Sequence, residues 1–306
     1  MNIPHVAVLL SSYNGEHYIE EQIHSILAQQ DVRVTLYVRD DGSSDSTVEI
    51  VARLASMHSN IIFNVERNIG LIGSFFDLLK RADKGFKYYA FADQDDVWIA
   101  DKLAVGVGCL SPFDGSKSAM YCSRTEYVNE SLQHLSYSPA YKQANIGFGN
   151  ALVQNVATGC TIVINADARK LIVKELPKTC IVHDWWVYLV ISAFGLVIYD
   201  QVSHIKYRQH GGNVIGASSS FTKNSIKRTR RFFGSLRKNK TSSQVAEFHR
   251  IFRLKMTPDQ IDSVTQILVA DRSMWSRLSL VCKRFYWRQS LVDNLLLRIV
   301  MVTGRF

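Results

Sequence analysis

Three carboxylates, Asp93, Asp95 and Asp96, fall within four residues directly after the apolar run 88–92. That run predicts a buried strand, and open α/β sheets bind ligands beyond the carboxyl ends of their strands. Clustered carboxylates repel one another unless a cation neutralises them, and hard oxygen ligands suit Mg²⁺ or Mn²⁺ bound together with substrate phosphates. The stretch therefore indicates a metal–diphosphate site. Taken alone, it also fits an acidic turn that caps the following helix.

The elements before the acidic stretch alternate between strand and helix. Apolar runs predict strands at 6–12, 34–38 and 61–65, and apolar residues at helical spacing predict helices at 16–30, 46–57 and 71–82. Such alternation is typical of a parallel, doubly wound sheet, whose right-handed crossovers bring the loops after several strands to one edge. Ser11, Tyr13, Asp41 and the stretch 93–96 could then line one cleft.

The second half of the chain is less regular. Further strands are predicted at 118–122, 158–164, 196–199 and 204–207, with helix or loop at 136–157. The run His183-Asp184-Trp185-Trp186 opens an apolar, helix-like segment. A Gly pair at 211–212 follows Arg208 and His210 and marks a turn beside polar groups. The serines at 218–220 resemble a hinge before a basic region that is rich in helical patterns.

The composition describes a globular chain of 306 residues, of which 47% are hydrophobic and 21% charged. The five cysteines form no C-x-x-C pair, which argues against a disulfide framework or a zinc site and fits a reducing cytoplasm. We expect neither a signal peptide nor a transmembrane helix. Because the chain also lacks a Walker A lysine motif, a kinase or an ATPase has little support, and Gly106-Val107-Gly108 is not a Rossmann fingerprint.

Charge is distributed unevenly along the chain. Residues 1–220 hold 18 basic against 22 acidic residues, whereas residues 221–306 hold 18 against 5. The basic part interleaves Lys and Arg with aromatic and aliphatic residues at 223–240 and 274–302, a pattern typical of interfacial membrane helices. We expect this region to meet an anionic membrane surface. The alternative is a helical subdomain that packs on the catalytic body or on a second copy, and no nucleic-acid-binding module is recognisable.

Several motifs, in order, resemble the inverting glycosyltransferases of family 2 and, within them, the bacterial rhamnosyltransferase-like members. The resemblance covers roughly residues 4–215 and implies a GT-A fold, an α/β nucleotide-diphospho-sugar transferase fold. Residues 1–220 would form its catalytic domain, with a nucleotide-binding half to about 115 and an acceptor-binding half after it, and 221–306 a basic helical extension. The stretches that carry the resemblance are Ser12-Tyr13-Asn14-Gly15, the run from Asp40 to Thr47, Arg67-Asn68-Ile69-Gly70, Asp93-Gln94-Asp95-Asp96-Val97-Trp98 with Asp101-Lys102, and His183-Asp184-Trp185.

The resemblance implies which residues hold the donor. Asp41 would accept a hydrogen bond from N3–H of uracil or thymine, and Asp93 and Asp95 would form the metal-binding Asp-x-Asp, with Asp96 as a further ligand or supporting group. The implied metal is Mn²⁺ or Mg²⁺, and it would stabilise the leaving nucleoside diphosphate. The residues implied at the nucleotide sugar are Ser11, Tyr13, Asn14, Asp41, Asn68, Asp93, Asp95, Lys102, Arg208 and His210.

The resemblance also implies a general base, Asp184, which would deprotonate the acceptor hydroxyl opposite the leaving group. Trp185 and Trp186 would contact the acceptor sugar and partly desolvate this acid. Many relatives carry Glu-Asp where this chain has His183-Asp184, so a role for the preceding residue does not carry over. Each residue also has a structural interpretation: Asp184 as a helix cap, Tyr13 as a core aromatic, Trp186 as a packing residue, and His210 as a polar loop residue.

These observations lead to one expected function. It is transfer of a sugar, from dTDP-L-rhamnose by resemblance, onto a lipid-linked or polysaccharide acceptor during synthesis of an O-antigen-like bacterial surface polysaccharide. The enzyme would work in the cytoplasm at the inner face of the membrane, and it could self-associate. The alternatives are the same fold with a UDP-sugar donor, and a non-catalytic scaffold that binds membranes through its basic tail. A nucleotidyltransferase would open with a Gly-rich basic loop, which this chain lacks.

Overall fold

The computed structural model describes residues 3–210, 241–270, 273–283 and 285–304. The chain divides into two compact units built from interleaved segments. Unit 1 comprises residues 1–140, 157–174 and 195–217, and unit 2 comprises 141–156, 175–194 and 218–306. The expected boundary near residue 220 lies outside the described residues, as do the Gly pair, the serine hinge and the basic stretch 223–240. Two stretches expected in the acceptor half, 141–156 and 175–194, group with the C-terminal helices.

Unit 1 is an α/β unit built on one mixed sheet. Its strands are β1 (His5–Ser12), β2 (Arg33–Asp40), β3 (Ile61–Val65), β4 (Tyr88–Ala92), β5 (Val97–Trp98), β6 (Ala119–Val128), β7 (His134–Tyr137), β8 (Val163–Asn165) and β9 (Leu196–Arg208). Its helices are α1 (Ile19–Leu27), α2 (Thr47–Met57), α3 (Gly70–Arg81), α4 (Lys102–Leu110) and α6 (Ala166–Val173). The spatial order is β3-β2-β1-β4-β8-β6-β9-β5, with β7 paired to β6.

The first four strands of this order run parallel, as the alternation of strands and helices predicts. In register, Ser12 lies opposite Asp40 and Leu10 opposite Ala92, so β1, β2 and β4 end side by side. β1 and β4 are buried along almost their whole length, because helices cover both faces of a parallel sheet. The loops that follow these three strands therefore share one edge of unit 1.

In the other half of the sheet the strands run in both directions, which the sequence pattern did not predict. β8 runs antiparallel to both β4 and β6, while β9 runs parallel to β6 and antiparallel to β5. The strand expected at 158–164 is a 3₁₀ turn, Gly159–Thr161, followed by the short β8. The two strands expected at 196–199 and 204–207 form one 13-residue strand, since shifts of register at Arg124 keep β6 paired across the polar middle of β9.

Unit 2 is helical in its described residues. Its helices are α5 (Phe148–Ala151), α7 (His183–Phe194), α8 (Thr241–Phe252), α9 (Pro258–Val269), α10 (Met274–Cys282) and α11 (Leu291–Thr303). Aromatic rings of α7 and α8 form its core: Phe194 stacks on Phe248 at 5.8 Å, and Trp186 lies 6.3 Å from Phe248 between ring centroids. Among the described residues, no helix combines the length and the apolar character needed to cross a bilayer.

Candidate active site

The loop after β1 is tied to the turn after β2. Ser12 Oγ donates to Asp40 Oδ2 at 2.9 Å, and Asn14 Oδ1 accepts from the Ser44 amide at 2.9 Å. Asp40 also accepts from the amides of Gly42 and Ser43, so it is the structural acid of this turn. Tyr13 is half exposed, which leaves its ring available to a ligand, whereas Ser11 and Ser12 are buried.

Asp41 is buried at the start of the same turn. Its Oδ1 accepts from the Ile69 amide and its Oδ2 from the Gly70 amide, both at 2.8 Å. The Arg39 guanidinium donates to Oδ1 at 2.5 Å. Asn68 is exposed, and its Oδ1 accepts from the Gly70 amide at 3.1 Å. The structure thus places the turn that begins at Asp40 and the stretch 67–70, both expected at the nucleotide, around the carboxylate of Asp41. Arg39 also contacts this carboxylate, although no sequence motif had pointed to it.

The acidic loop after β4 is anchored to the loop after β1 by Gln94. Gln94 Oε1 accepts from the Tyr13 amide at 2.8 Å, and its Nε2 donates to the Tyr13 carbonyl at 3.1 Å. Gly15 permits this approach, because a Cβ there would lie 2.5 Å from Gln94 Oε1. Gln22 of α1 donates to the Asp93 carbonyl at 2.9 Å. The acids are therefore held beside the loops after β1 and β2, which were expected to bind the nucleotide, within unit 1.

Asp93, Asp96 and Cys160 offer ligand atoms that all lie within 4.8 Å of one another. Asp96 is fully buried, and its Oδ2 accepts no hydrogen bond from a nitrogen or oxygen donor of the described residues. Burial, and then the charges of Asp95 and Asp93, raise the pKa of Asp96 well above its usual range. Oxygen donors and an orphaned buried carboxylate oxygen fit a divalent cation. The sequence did not predict Cys160 beside these acids, because Thr158-Gly159-Cys160-Thr161 matches no metal-binding motif.

Asp95 has a different partner from the other two acids. Its Oδ2 lies 2.7 Å from Nε2 of His210, and the His210 ring lies 5.1 Å from the ring of Tyr18 on the other side. The His210 that was expected near the donor phosphates thus meets one expected metal ligand. Ligand atoms of Asp93 and Asp96 thus lie close together, whereas the Asp95 carboxylate, in the same loop, contacts His210, which follows β9.

Three residues that were expected to contact ligands are buried in this structure. Lys102 is fully buried with Nζ 3.6 Å above the centroid of the Trp98 ring, and burial lowers its pKa to about 7. Arg208 is 2% exposed, and its guanidinium bonds to the Asp95 carbonyl, the Glu130 carbonyl and Glu21. Trp186 is fully buried against the rings of α8. Arg208 thus holds the backbone of the acidic loop at Asp95, Lys102 packs on Trp98, and Trp186 packs among the aromatic rings of unit 2.

Asp184 lies in the first turn of α7 in unit 2 and is 7% exposed. Its Oδ1 accepts from Asn155 Nδ2 at 3.0 Å and from the Trp185 amide at 2.6 Å. Trp185 Nε1 donates to the Ala151 carbonyl at 2.7 Å, which fixes the ring beside the acid. A carboxylate oriented by two donors at a helix N-terminus is held in one direction, as a general base requires.

The residue before this acid titrates abnormally. Burial lowers the pKa of His183 from 6.5 to about 3. The unfolded chain therefore binds more protons between these values, so stability is complete above about pH 6.5 and is lost as the pH falls. The loss attributable to His183 should reach about 2 kcal/mol of unfolding free energy at pH 5. Urea unfolding from pH 7.5 to pH 5 should therefore show a shallower decline for His183→Gln than for the wild type.

An exposed histidine supplies the control for this measurement. The His17 side chain is 79% exposed, and His17→Gln should leave the pH dependence of unfolding as in the wild type. A His183→Gln protein whose stability declined as steeply as the wild type would show that the neutral imidazole of His183 is not what makes folding sensitive to acid.

The sequence matches the family model "Glycosyl transferase family 2" over residues 7–165. It is 29% identical over 230 residues to dTDP-rhamnosyl transferase RfbG of Shigella flexneri, covering 69% of this chain and 75% of that one. It is 31% identical over 159 residues to the Escherichia coli UDP-Glc:alpha-D-GlcNAc-diphosphoundecaprenol beta-1,3-glucosyltransferase WfgD, covering 52% of this chain and 59% of that one.

Solved structures share the fold at low identity. S. aureus TarS 1-349 in complex with UDP-GlcNAc matches with a TM-score of 0.55 at 14% identity, over 99% of this chain and 90% of that one. The mannosyltransferase PcManGT from Pyrobaculum calidifontis, in complex with GDP-Man and Mn²⁺, matches with a TM-score of 0.51 at 15% identity, over 100% and 82%. The expected GT-A fold is confirmed. Because the family model spans just over half of the chain and includes both the Asp41 and Asp93–Asp96 motifs, the chain belongs to glycosyl transferase family 2.

Proposed function

We propose that this family 2 glycosyltransferase is metal-dependent and inverting, and that it uses a nucleoside diphosphate sugar. The observation that carries the proposal is the shared edge of β1, β2 and β4. There the backbone of half-exposed Tyr13 bonds to Gln94 of the acidic loop, and the buried carboxylate of Asp41 lies in the turn that follows β2. Tyr13 and Asp41 would bind the nucleoside, and Asp93, Asp95 and Asp96 would hold the cation near the diphosphate. In that arrangement, the residues that recognise the base and the residues that offset the charge of the diphosphate lie at different places along the same edge of the sheet.

The chemical step we propose is a single displacement at the anomeric carbon. Asp184 accepts the proton of an acceptor hydroxyl, the acceptor oxygen bonds to the anomeric carbon, and the bond from that carbon to the diphosphate oxygen breaks. The departing nucleoside diphosphate takes the bonding electrons, and the configuration inverts. A bound divalent cation would offset the charge that develops on the diphosphate. The support for Asp184 is its matching position in the family motif and its two hydrogen-bond donors.

The finer specificity is proposed from relatives. The RfbG relative is a dTDP-rhamnosyl transferase, and the WfgD relative acts on a diphosphoundecaprenol-linked sugar. We propose a dTDP-L-rhamnose donor and a lipid-linked acceptor in the synthesis of a bacterial surface polysaccharide. In α10 and α11, Trp275 is 82% exposed and Leu291 is 89% exposed, which supports contact of the basic C-terminal region with an anionic membrane surface.

A nucleotide screen tests the proposed function. Purified full-length protein is heated with UDP, dTDP, GDP or CMP, each with and without Mn²⁺, and its unfolding temperature is recorded. A ligand that binds the native state alone raises that temperature. We expect a Mn²⁺-dependent rise with dTDP or UDP. No rise with any nucleotide would refute the proposed function and favour a non-catalytic scaffold.

A further inference from the structure

The environment of Asp41 contains a feature that the family motifs do not predict, a buried arginine. Arg39 is 3% exposed and precedes Asp41 by two residues at the end of β2. Its guanidinium donates to Asp41 Oδ1 at 2.5 Å, to Asp77 Oδ2 at 3.2 Å and to the Arg67 carbonyl at 3.0 Å. A guanidinium offers donors only and does not lose its proton in proteins, so Arg39 can occupy acceptors but never accept.

The hydrogen bonds of Asp41 leave it little capacity for a ligand. Oδ1 accepts from Arg39 and from the Ile69 amide, and Oδ2 accepts from the Gly70 amide. An ionised carboxylate has about four acceptor positions, two on each oxygen. Donors within the described residues therefore fill both positions on Oδ1 and leave one acceptor position on Oδ2.

We propose that Arg39 is a specificity-determining positioning residue of the nucleotide site. By saturating Oδ1, it leaves Asp41 a single acceptor position and commits the site to a base whose edge presents one N–H between two carbonyls, as in uracil and thymine. This inference rests on the proposed function, in which Asp41 meets the nucleobase, and it explains how the site would select uridine or thymidine diphosphate sugars.

Other bases fit this edge poorly for physical reasons. Guanine presents two neighbouring donors, N1–H and the exocyclic amine, which a carboxylate accepts only when both of its oxygens are open. Cytosine presents a lone pair at N3, which would face the Oδ2 lone pair without a proton between them. When a ligand leaves a buried polar group of the site without a hydrogen-bond partner, its affinity falls strongly. Polar sites reject ligands of similar shape in this way.

Arg39 also has a structural role that any test must separate from specificity. Its guanidinium donates to Ser74 Oγ at 3.2 Å, and Ser74 Oγ accepts from Ser11 at 2.7 Å. One cation thus connects β1, β2 and α3 around the proposed base pocket. If this were its whole contribution, its loss would weaken every nucleotide to the same degree, because all of them share the ribose and diphosphate contacts.

Isothermal titration of the full-length protein with UDP, dTDP, GDP, CDP and N3-methyl-UDP, all with Mn²⁺, tests the inference. The wild type should bind UDP and dTDP about tenfold or more tightly than the other three, the range expected when a hydrogen bond to a charged group is lost. In Arg39→Met, Oδ1 is released to accept the second donor of guanine. The ratio of the GDP to the UDP dissociation constant should then fall by about fivefold or more.

Arg81 provides a matched control. It also pairs with Asp77, at 2.9 Å, but its side chain is 54% exposed and it does not contact Asp41. Arg81→Met should leave the ratio of the two dissociation constants unchanged. An Arg39→Met protein that bound all nucleotides more weakly by one common factor would overturn the inference.

If Arg39→Met fails to fold, the nucleotide preferences of the wild type still test whether Asp41 offers a single acceptor position. N3-methyl-UDP or GDP binding as tightly as UDP would overturn the inference while leaving the proposed function intact. Binding of no nucleotide at all would refute both. Preference for UDP and dTDP over N3-methyl-UDP, CDP and GDP would support the single-acceptor site.

Discussion

Replacing Asp184 by Asn is expected to lower kcat about a thousandfold, the scale on which general bases contribute, while leaving the dissociation constant of the donor nucleotide nearly unchanged. Asparagine preserves the size of the side chain and can still accept from Asn155 and the Trp185 amide through its carbonyl oxygen. It cannot take up the acceptor proton. The measurement is steady-state transfer to a saturating acceptor, together with titration of UDP or dTDP in the presence of Mn²⁺.

Asp293 supplies the matched control for this variant. It is also 7% exposed and also lies in the first turn of a helix of unit 2, α11. Asp293→Asn tests whether a buried aspartate at a helix start is enough to produce the effect, and kcat should stay within about threefold of the wild type. An Asp184→Asn enzyme with near-normal kcat would remove this residue as the base.

Asp95→Ala is expected to abolish transfer and to remove the Mn²⁺-dependent part of nucleotide binding. The change deletes one of three carboxylates in the acidic loop, and it leaves His210 without the oxygen that lies 2.7 Å from its Nε2. Loss of charge compensation at the diphosphate should lower kcat by about a hundredfold or more. Titration of UDP or dTDP with and without Mn²⁺ separates the metal-dependent affinity from the affinity of the nucleoside.

An acid elsewhere in unit 1 controls for charge alone. Asp31 is exposed and has a φ of 57°, a conformation that Asn tolerates well, so Asp31→Asn should retain both transfer and metal-dependent binding. Retention of the Mn²⁺ effect in Asp95→Ala would assign the cation to Asp93 and Asp96 alone.

The parallel half of the sheet could be predicted from the sequence because its signals are local. The apolar runs of β1 and β4 and the turn residues at Asp40 and Gly42 each determine their own conformation. The strands β6, β8 and β9 were harder to predict, since their direction depends on partners far away in the chain. Thr158-Gly159-Cys160 resembles a strand in pattern, but Gly159–Thr161 forms a 3₁₀ turn, and the strand that follows it, β8, runs antiparallel to both of its neighbours.

For the candidate site, too, local signals could be predicted from the sequence and contacts between distant residues could not. The motifs predicted that Asp41, Asp93 and Asp96 lie at one edge of the sheet, because the loops after neighbouring parallel strands converge there. Periodicity could not tell that Lys102, Arg208 and Trp186 are buried, since burial depends on what packs over a side chain. Arg39 and Cys160 were missed because their significance lies in contacts with Asp41 and Asp96, which no spacing in the sequence encodes.

The interleaving of the two units bears on how the chain is made. On a ribosome, α7 emerges with Trp186 and Phe194 before their ring partners Phe248 and Phe252 exist, and those follow about sixty residues later. At about 5–20 residues per second, this leaves an aromatic helix uncovered for several seconds. Unit 2 can close only after translation has passed α8, so a nascent chain halted before that point would present α7 to chaperones rather than to its own core.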